Sequence, residues 1–211
     1  MYLGVTNTGY STSFFTPTIL KELGWTSVHA QVMSIPIYLV AFIVTLIVAF
    51  FTDRLRHRYS FIMTGISLGT VGYVILLAQK AVSIGGRYFA IYLVTVGGYI
   101  AQPITLVWLN NNLGGHYKRS AGAAMQIGFG NCAGLVASNI YITKEAPEYP
   151  VGYGTSLALL WLSGFACTAF LIGLWMENKK RDQGGRDNRF NLPREELENL
   201  GDDHPRFRFA Y

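Results

Sequence analysis

Charged residues are scarce in this sequence, and their scarcity argues against a soluble domain. Asp, Glu, Lys and Arg make up 14% of the 211 residues, whereas about a quarter of a typical soluble domain is charged. Hydrophobic residues reach 51%. The net charge of +5 could indicate nucleic acid, but the basic residues lie in short loops and a tail. That placement favours a membrane surface, so we expect a lipid bilayer as partner and no nucleic acid.

Residues that bind metals or catalyse reactions are also few. The two cysteines, Cys132 and Cys167, lie in apolar stretches without metal-ligand spacing and are predicted to be buried free thiols. The four histidines form no cluster along the chain. No paired carboxylates occur at membrane depth, and Ser, His and acidic residues are too scattered for a triad. We therefore expect no enzyme, no catalytic residues, no metal and no cofactor.

The first apolar segment, residues 2–20, is unusual for its polar content. It has neither the basic start nor the cleavage site of a signal peptide. It is long enough to span a membrane but contains eight Ser, Thr or Asn residues, so we expect it to line a wet interior among other helices. It begins at the initiator methionine without a basic anchor, from which we expect that the chain starts in the middle of a larger protein architecture.

Six apolar runs have the length of about 20 residues that a spanning helix needs. They predict an all-α, multi-pass membrane protein built as a six-helix bundle, with spans at 2–20, 31–51, 60–79, 88–109, 120–142 and 153–176. Basic residues concentrate in the loops after the second and fourth spans and in the tail, which places both termini in the cytosol. The charged tail, residues 177–211, is expected to be largely disordered.

Polar side chains within the spans are the candidates for a substrate path, because each is costly in lipid unless it is partnered or wetted. We select Asn7, Tyr10, Gln102 and Gln126. Hydrogen bonding between helices is the alternative for all four, and for Asn131, about 140° from Gln126 on a helix, we prefer it. No Asp, Glu, Lys or Arg lies at mid-span, so no residue is an obvious carrier of protons.

The loop at 49–58, reading AFFTDRLRHR, resembles the G-x-x-x-D-R-x-G-R-R motif of the major facilitator superfamily. It departs from that motif at Ala49, Arg56 and His57. Together with segment 2–20, the Gln102-Pro103 pair, GHYKR at 115–119 and LGDDHPRFR at 200–208, the chain is similar to fungal anion:cation symporters of the allantoate and nicotinate permease type.

The resemblance implies a carrier of twelve helices, of which these six are the C-terminal half and a further N-terminal half is missing. Such carriers move small organic anions such as allantoate, nicotinate or pantothenate, with protons, across the plasma membrane by alternating access. It also implies that Asp53, Arg54 and Arg58 form a conformational latch rather than a substrate contact. The alternative is a six-helix membrane fragment that does not transport and acts as an assembly or regulatory partner.

Overall fold

The described residues form helices and connecting turns, with no β-strand among them. The computed structural model describes residues 1–22 and 24–211, excluding the side chains of residues 143, 191, 194, 195 and 198. Its α-helices are α1 Tyr2–Glu22, α2 Ser27–Leu55, α3 Arg58–Leu77, α4 Ile84–Asn111, α5 His116–Asn131, α6 Ala133–Ile140, α7 Pro150–Asp182 and the short α8 Arg194–Asn199.

The six predicted spans correspond to α1, α2, α3, α4, the pair α5–α6 and α7, which confirms an all-α six-helix bundle. Four of the described helices, α2, α3, α4 and α7, are long and apolar enough to cross a membrane. The fifth predicted span is broken at Cys132, whose N–H turns back to the Gly130 carbonyl. Glycine is a poor helix former, so a glycine-rich segment yields readily at such a point.

Small residues let α3 and α4 pack against each other more closely than larger side chains would allow. A Cβ added to Gly65 would lie 2.7 Å from the Gly97 carbonyl oxygen, and one added to Gly72 would lie 2.7 Å from the Ala90 carbonyl oxygen. Both atoms belong to the opposite backbone, which cannot move aside as a flexible side chain can. The third predicted span therefore contacts α4 through a face of small residues.

Six of the eight Ser, Thr and Asn side chains of α1 are buried in the bundle. The Thr8 hydroxyl donates to the Gly4 carbonyl at 3.3 Å, and the Thr12 hydroxyl donates to the Thr8 carbonyl at 3.0 Å, each one turn earlier in the helix. The Gly4 N–H instead donates to Ser163 Oγ on α7 at 3.1 Å. Such bonds satisfy hydroxyls inside a helix bundle without water, so the expectation that this whole helix lines a wet interior is wrong for its buried side.

The C-terminal tail differs from the largely disordered segment that its composition suggested. Beyond α7 and α8, its last residues return to the ends of α4 and α7 and bind there through the backbone. Asn112 Nδ2 and Trp108 Nε1 donate to the Ala210 carbonyl at 3.0 and 2.9 Å, and the Ala210 N–H donates to Asn112 Oδ1 at 2.8 Å. Asn178 makes the same paired contact with Phe209, at 2.9 Å each way.

Arg181 is the charged centre of this folded tail. Its guanidinium is 5% exposed, donates to the carbonyls of Asp202, His204 and Phe207 at 2.9–3.2 Å, and lies 4.7 Å from the centre of the Phe209 ring. Its Nε also donates to Glu177 at 3.1 Å. A composition rich in charge predicts disorder, but here buried guanidinium and amide groups satisfy the backbone of the tail.

Candidate functional site

Polar side chains make three separate hydrogen bonds between α1, α4 and α5: Gln102 to Tyr2, Tyr10 to Asn131, and Gln126 to the Thr105 carbonyl. We call this set the amide–tyrosine cluster: Tyr2, Tyr10, Gln102, Gln126 and Asn131. Three of the four predicted path residues belong to it. Because no substrate is present, their role on a substrate path stays a prediction.

Tyr10 joins α1 to the end of α5. Its hydroxyl donates to Asn131 Oδ1 at 3.1 Å, and its ring is stacked on Phe14 with 5.6 Å between ring centres. A Cβ on Gly134 would touch the Tyr10 ring at 3.5 Å, so the glycine provides the surface on which the ring lies. Asn131, interpreted from the sequence as structural, thus binds one of the predicted path residues.

Gln102 lies on α4 and faces α1. Its Nε2 donates to the Tyr2 hydroxyl at 3.4 Å, and a Cβ on Gly9 would be 3.1 Å from its Oε1, so glycine gives the amide room. The next residue, Pro103, has no N–H and leaves the Tyr99 carbonyl without its helical donor. Thr45 Oγ1 of α2 donates to that carbonyl at 3.4 Å.

Gln126 is the member of the cluster with an unmet hydrogen bond. Its Nε2 donates to the Thr105 carbonyl at 3.2 Å, while its buried Oε1 has no partner. It also lines an open cleft of about 410 Å³ together with Tyr2, Leu109, Met125 and others. An unpaired acceptor of this kind costs about 1–3 kcal/mol unless a ligand or water donates to it.

Gln126 and Asn131 point in different directions yet both join the cluster. They are about 140° apart around the helix axis, and each contacts a different helix because α5 packs against both α4 and α1. Gln126 reaches α4 through Thr105, and Asn131 reaches α1 through Tyr10. The sequence contained this signal as two polar residues in an apolar span, but it did not show that two different helices receive them.

Asn7 is separate from the cluster. It is fully buried, and its Nδ2 donates to Ser156 Oγ of α7 at 3.2 Å. Its Oδ1 has no partner. Ser11, one turn later, lies 3.4 Å from the same serine hydroxyl. The structure therefore places Asn7 between α1 and α7 with Ser11, whereas Tyr10 contacts Asn131 at the end of α5.

The loop motif brings Asp53 to Arg58 rather than to its neighbour. Arg58 Nη2 lies 3.6 Å from Asp53 Oδ1, and the side-chain oxygen of Asn111, with its amide suitably oriented, also accepts from the guanidinium. The Arg58 side chain is 12% exposed and that of Asp53 77%, so the pair lies at the surface of the bundle. Arg54 is exposed and takes part in none of the described ion pairs.

The thiols and other reactive groups form no site among the residues that were searched. No group of three or more His, Cys, Asp or Glu side chains is placed to hold a metal ion there. Cys167 is buried and free as predicted, but Cys132 is exposed. The exposure follows from the break between α5 and α6 and from the open side that these two helices present.

Comparison with known proteins gives the chain its relatives, although no protein-family profile matches it. It is 32% identical to the high-affinity nicotinic acid transporter of Saccharomyces cerevisiae over 209 residues, 99% of this chain and 39% of that protein. It is 36% identical to an MFS-type transporter of Penicillium expansum over 207 residues, 95% of this chain and 40% of that protein. The chain is a homologue of fungal major facilitator transporters.

A third relative of this transporter homologue, an uncharacterized transporter of Schizosaccharomyces pombe, is 37% identical over 174 residues, 82% of this chain and 34% of that protein. The chain thus spans between a third and two fifths of the length of these curated relatives. All three are named as transporters, which agrees with the expectation that the chain is not an enzyme. Together with the apolar helices of this chain, these relatives indicate a multi-pass membrane protein.

Proposed function

We propose that this chain forms the C-terminal six-helix half of a carrier for a small organic anion, in the allantoate, nicotinate or pantothenate class. The observation that carries the proposal is the amide–tyrosine cluster beside an open cleft of about 410 Å³. Its groups come from three helices, α1, α4 and α5, and homology to fungal transporters supports a path through such a bundle. Alternating access then moves the substrate as an N-terminal half rocks against this one.

The chemistry of the cluster suits hydrogen bonding rather than ion pairing. Gln102 and Gln126 offer amide N–H groups, Tyr2 and Tyr10 offer hydroxyls, and all can donate to a carboxylate. The unpaired Gln126 Oε1 can accept a hydrogen bond from a water O–H, or from an N–H in those substrates that carry one. Because none of the cluster members is charged, the cation that neutralises the substrate and the group that binds a proton belong to the other half in this proposal.

The loop and the topology complete the proposal. Asp53, Arg54 and Arg58 act as a latch that favours one state of the carrier, since a latch changes populations rather than substrate contacts. Both termini lie in the cytosol and the carrier lies in the plasma membrane. Cysteine labelling in intact cells tests the orientation: a cysteine at Ser83 should react with an impermeant reagent, and one at Gly115 should not. Equal labelling would contradict this topology.

A chimera tests transport. The matched C-terminal region of the yeast nicotinic acid transporter is replaced by this chain, and uptake of radiolabelled nicotinate is measured in cells without that transporter. Gln126→Leu and Gln102→Leu should each reduce kcat/KM by about tenfold or more, because a site that hydrogen-bonds its substrate discriminates strongly once a donor is removed. Gln31→Leu, an exposed amide on α2, is the matched control.

The outcome separates the two readings of the chain. Saturable uptake that falls with the cluster variants and not with the control supports the carrier. Uptake that is unchanged by both cluster variants, in a chimera that reaches the membrane, would contradict the proposed site. A membrane-inserted chimera without any saturable uptake of nicotinate, allantoate or pantothenate would favour the alternative of a non-transporting assembly partner.

A further inference from the structure

A groove between the first turn of α3 and the last membrane turns of α7 is distinct from the amide–tyrosine cluster. It has a volume of about 320 Å³ and is lined by His57, Tyr59 and Ser60 on one side and by Leu171, Ile172 and Trp175 on the other, and Tyr211 of the tail also lines it. The Tyr59 hydroxyl and Thr168 Oγ1 lie 3.1 Å apart and join the two helices beside it. The groove therefore has a fixed wall on each side.

The groove lies where the bilayer changes from acyl chains to headgroups. Its helical residues lie at or just before the start of the predicted span 60–79 and at the end of the predicted span 153–176. Trp175 and Ile172 are about half exposed, at 52% and 51%. Tryptophan at such a position is typical of a membrane–water boundary, and the adjoining Leu171 and Ile172 offer an apolar surface to a hydrocarbon chain.

Positive charge surrounds this apolar surface. Lys179 Nζ lies 5.1 Å from the centre of the Trp175 ring, so its ammonium is held against a wall of the groove. Arg56 is exposed next to His57. The nearby carboxylates are already paired with other cations: Asp53 with Arg58, Glu177 with Arg181 and Arg186, and Asp182 with Arg208. None of the described ion pairs includes Arg56 or Lys179.

We propose that the groove binds one anionic phospholipid of the cytosolic leaflet. An acyl chain lies against Leu171, Ile172 and Trp175, and the negatively charged headgroup meets Lys179 and Arg56. A zwitterionic lipid would fill the same apolar surface but would not neutralise these two cations. The groove is therefore selective for net negative charge, at about fivefold for each cation that the headgroup contacts.

Native mass spectrometry of the purified full chain tests this site. The protein in detergent is incubated with equal amounts of phosphatidylserine and phosphatidylcholine that carry the same acyl chains, and the bound lipids are counted. We expect phosphatidylserine to exceed phosphatidylcholine by about fivefold or more. Lys179→Gln should lower that ratio by about fivefold, and Lys179→Arg should retain it.

Two further variants separate the groove from general surface charge. Lys144→Gln removes an exposed lysine from a turn outside the groove and should leave the lipid ratio unchanged. Ile172→Trp enlarges a side chain that lines the groove and should reduce binding of both lipids, with the thermal unfolding midpoint recorded to confirm folding. Equal binding of the two lipids by the unmodified protein, or the same loss of selectivity in Lys144→Gln and Lys179→Gln, would overturn the proposal.

Discussion

Arg181 holds the folded tail to the bundle, and replacing it by methionine should release the last residues. The methionine keeps the apolar stem of the side chain but removes the charge, the hydrogen bond to Glu177 and the hydrogen bonds to the carbonyls of Asp202, His204 and Phe207. Glu177 keeps Arg186 at 2.9 Å, so no carboxylate is left unpaired. The loss to the tail is therefore confined to its contacts with Arg181.

The magnitude follows from the burial and charge of the guanidinium. Hydrogen bonds to charged groups contribute about 1.5–3 kcal/mol each, and their contributions are not additive. Because the freed carbonyls gain water once the tail opens, we expect a total loss of about 3 kcal/mol. Since 1.4 kcal/mol corresponds to a factor of ten, opening of the tail becomes roughly a hundredfold more frequent.

Amide hydrogen exchange read by mass spectrometry is the assay. The Phe209 and Ala210 N–H groups, which donate to Asn178 and Asn112, should exchange about a hundredfold faster in Arg181→Met. Arg208→Met is the matched control, because its ion pair with Asp182 is exposed on both sides and contributes at most about 1 kcal/mol. Unchanged protection in Arg181→Met, or equal effects in the two variants, would refute this account of the tail.

Three other predictions concern the helix ends, the helix packing and pH. Arg56 ends α2 at φ +56°, at a position where the loop motif of the major facilitator superfamily has glycine. Arg56→Gly should therefore raise the free energy of unfolding by about 0.5–1 kcal/mol. A destabilisation in a denaturant titration would contradict this. Gly65→Ala should destabilise the folded chain by about 1–3 kcal/mol because its Cβ meets the α4 backbone. Gly173→Ala, whose Cβ would meet no atom within 4 Å, should be neutral or slightly stabilising. Similar melting temperatures for the two variants would refute the packing argument. The hydrogen bond from Arg186, assisted by Arg181, lowers the pKa of Glu177. The contribution of Glu177 to stability is therefore present above the unfolded pKa of about 4.3 and is lost as pH falls through the lower folded pKa. The melting temperature should fall between pH 7 and pH 3, and Glu177→Gln should make that fall smaller.

The helices could be predicted from the sequence because each apolar run carries its own evidence. Length and apolar composition together identified α2, α3, α4 and α7. The break at Cys132 was missed because an apolar, glycine-rich run has the same composition whether or not its hydrogen-bond ladder is continuous.

The parts that the sequence did not show depend on partners far away in the chain. Asn178 and Arg181 were counted as charged or polar tail residues, although they bind backbone groups up to 31 and 26 residues later. Asn7 and Tyr10 are only about 60° apart on α1, but Ser156 of α7 binds Asn7 while Asn131 of α5 binds Tyr10. Pattern alone does not reveal which neighbouring helix receives a polar side chain.

The most direct test of the central claim is substrate protection of the amide–tyrosine cluster. In the yeast chimera with Cys132→Ser and with the other exposed cysteines removed, Gln126→Cys is labelled by a thiol reagent with and without nicotinate. Nicotinate should slow labelling of Gln126→Cys and leave labelling of Gln31→Cys unchanged, because only the first lies in the proposed path. Equal rates at Gln126→Cys with and without nicotinate, in a chimera that transports nicotinate, would contradict the proposed site.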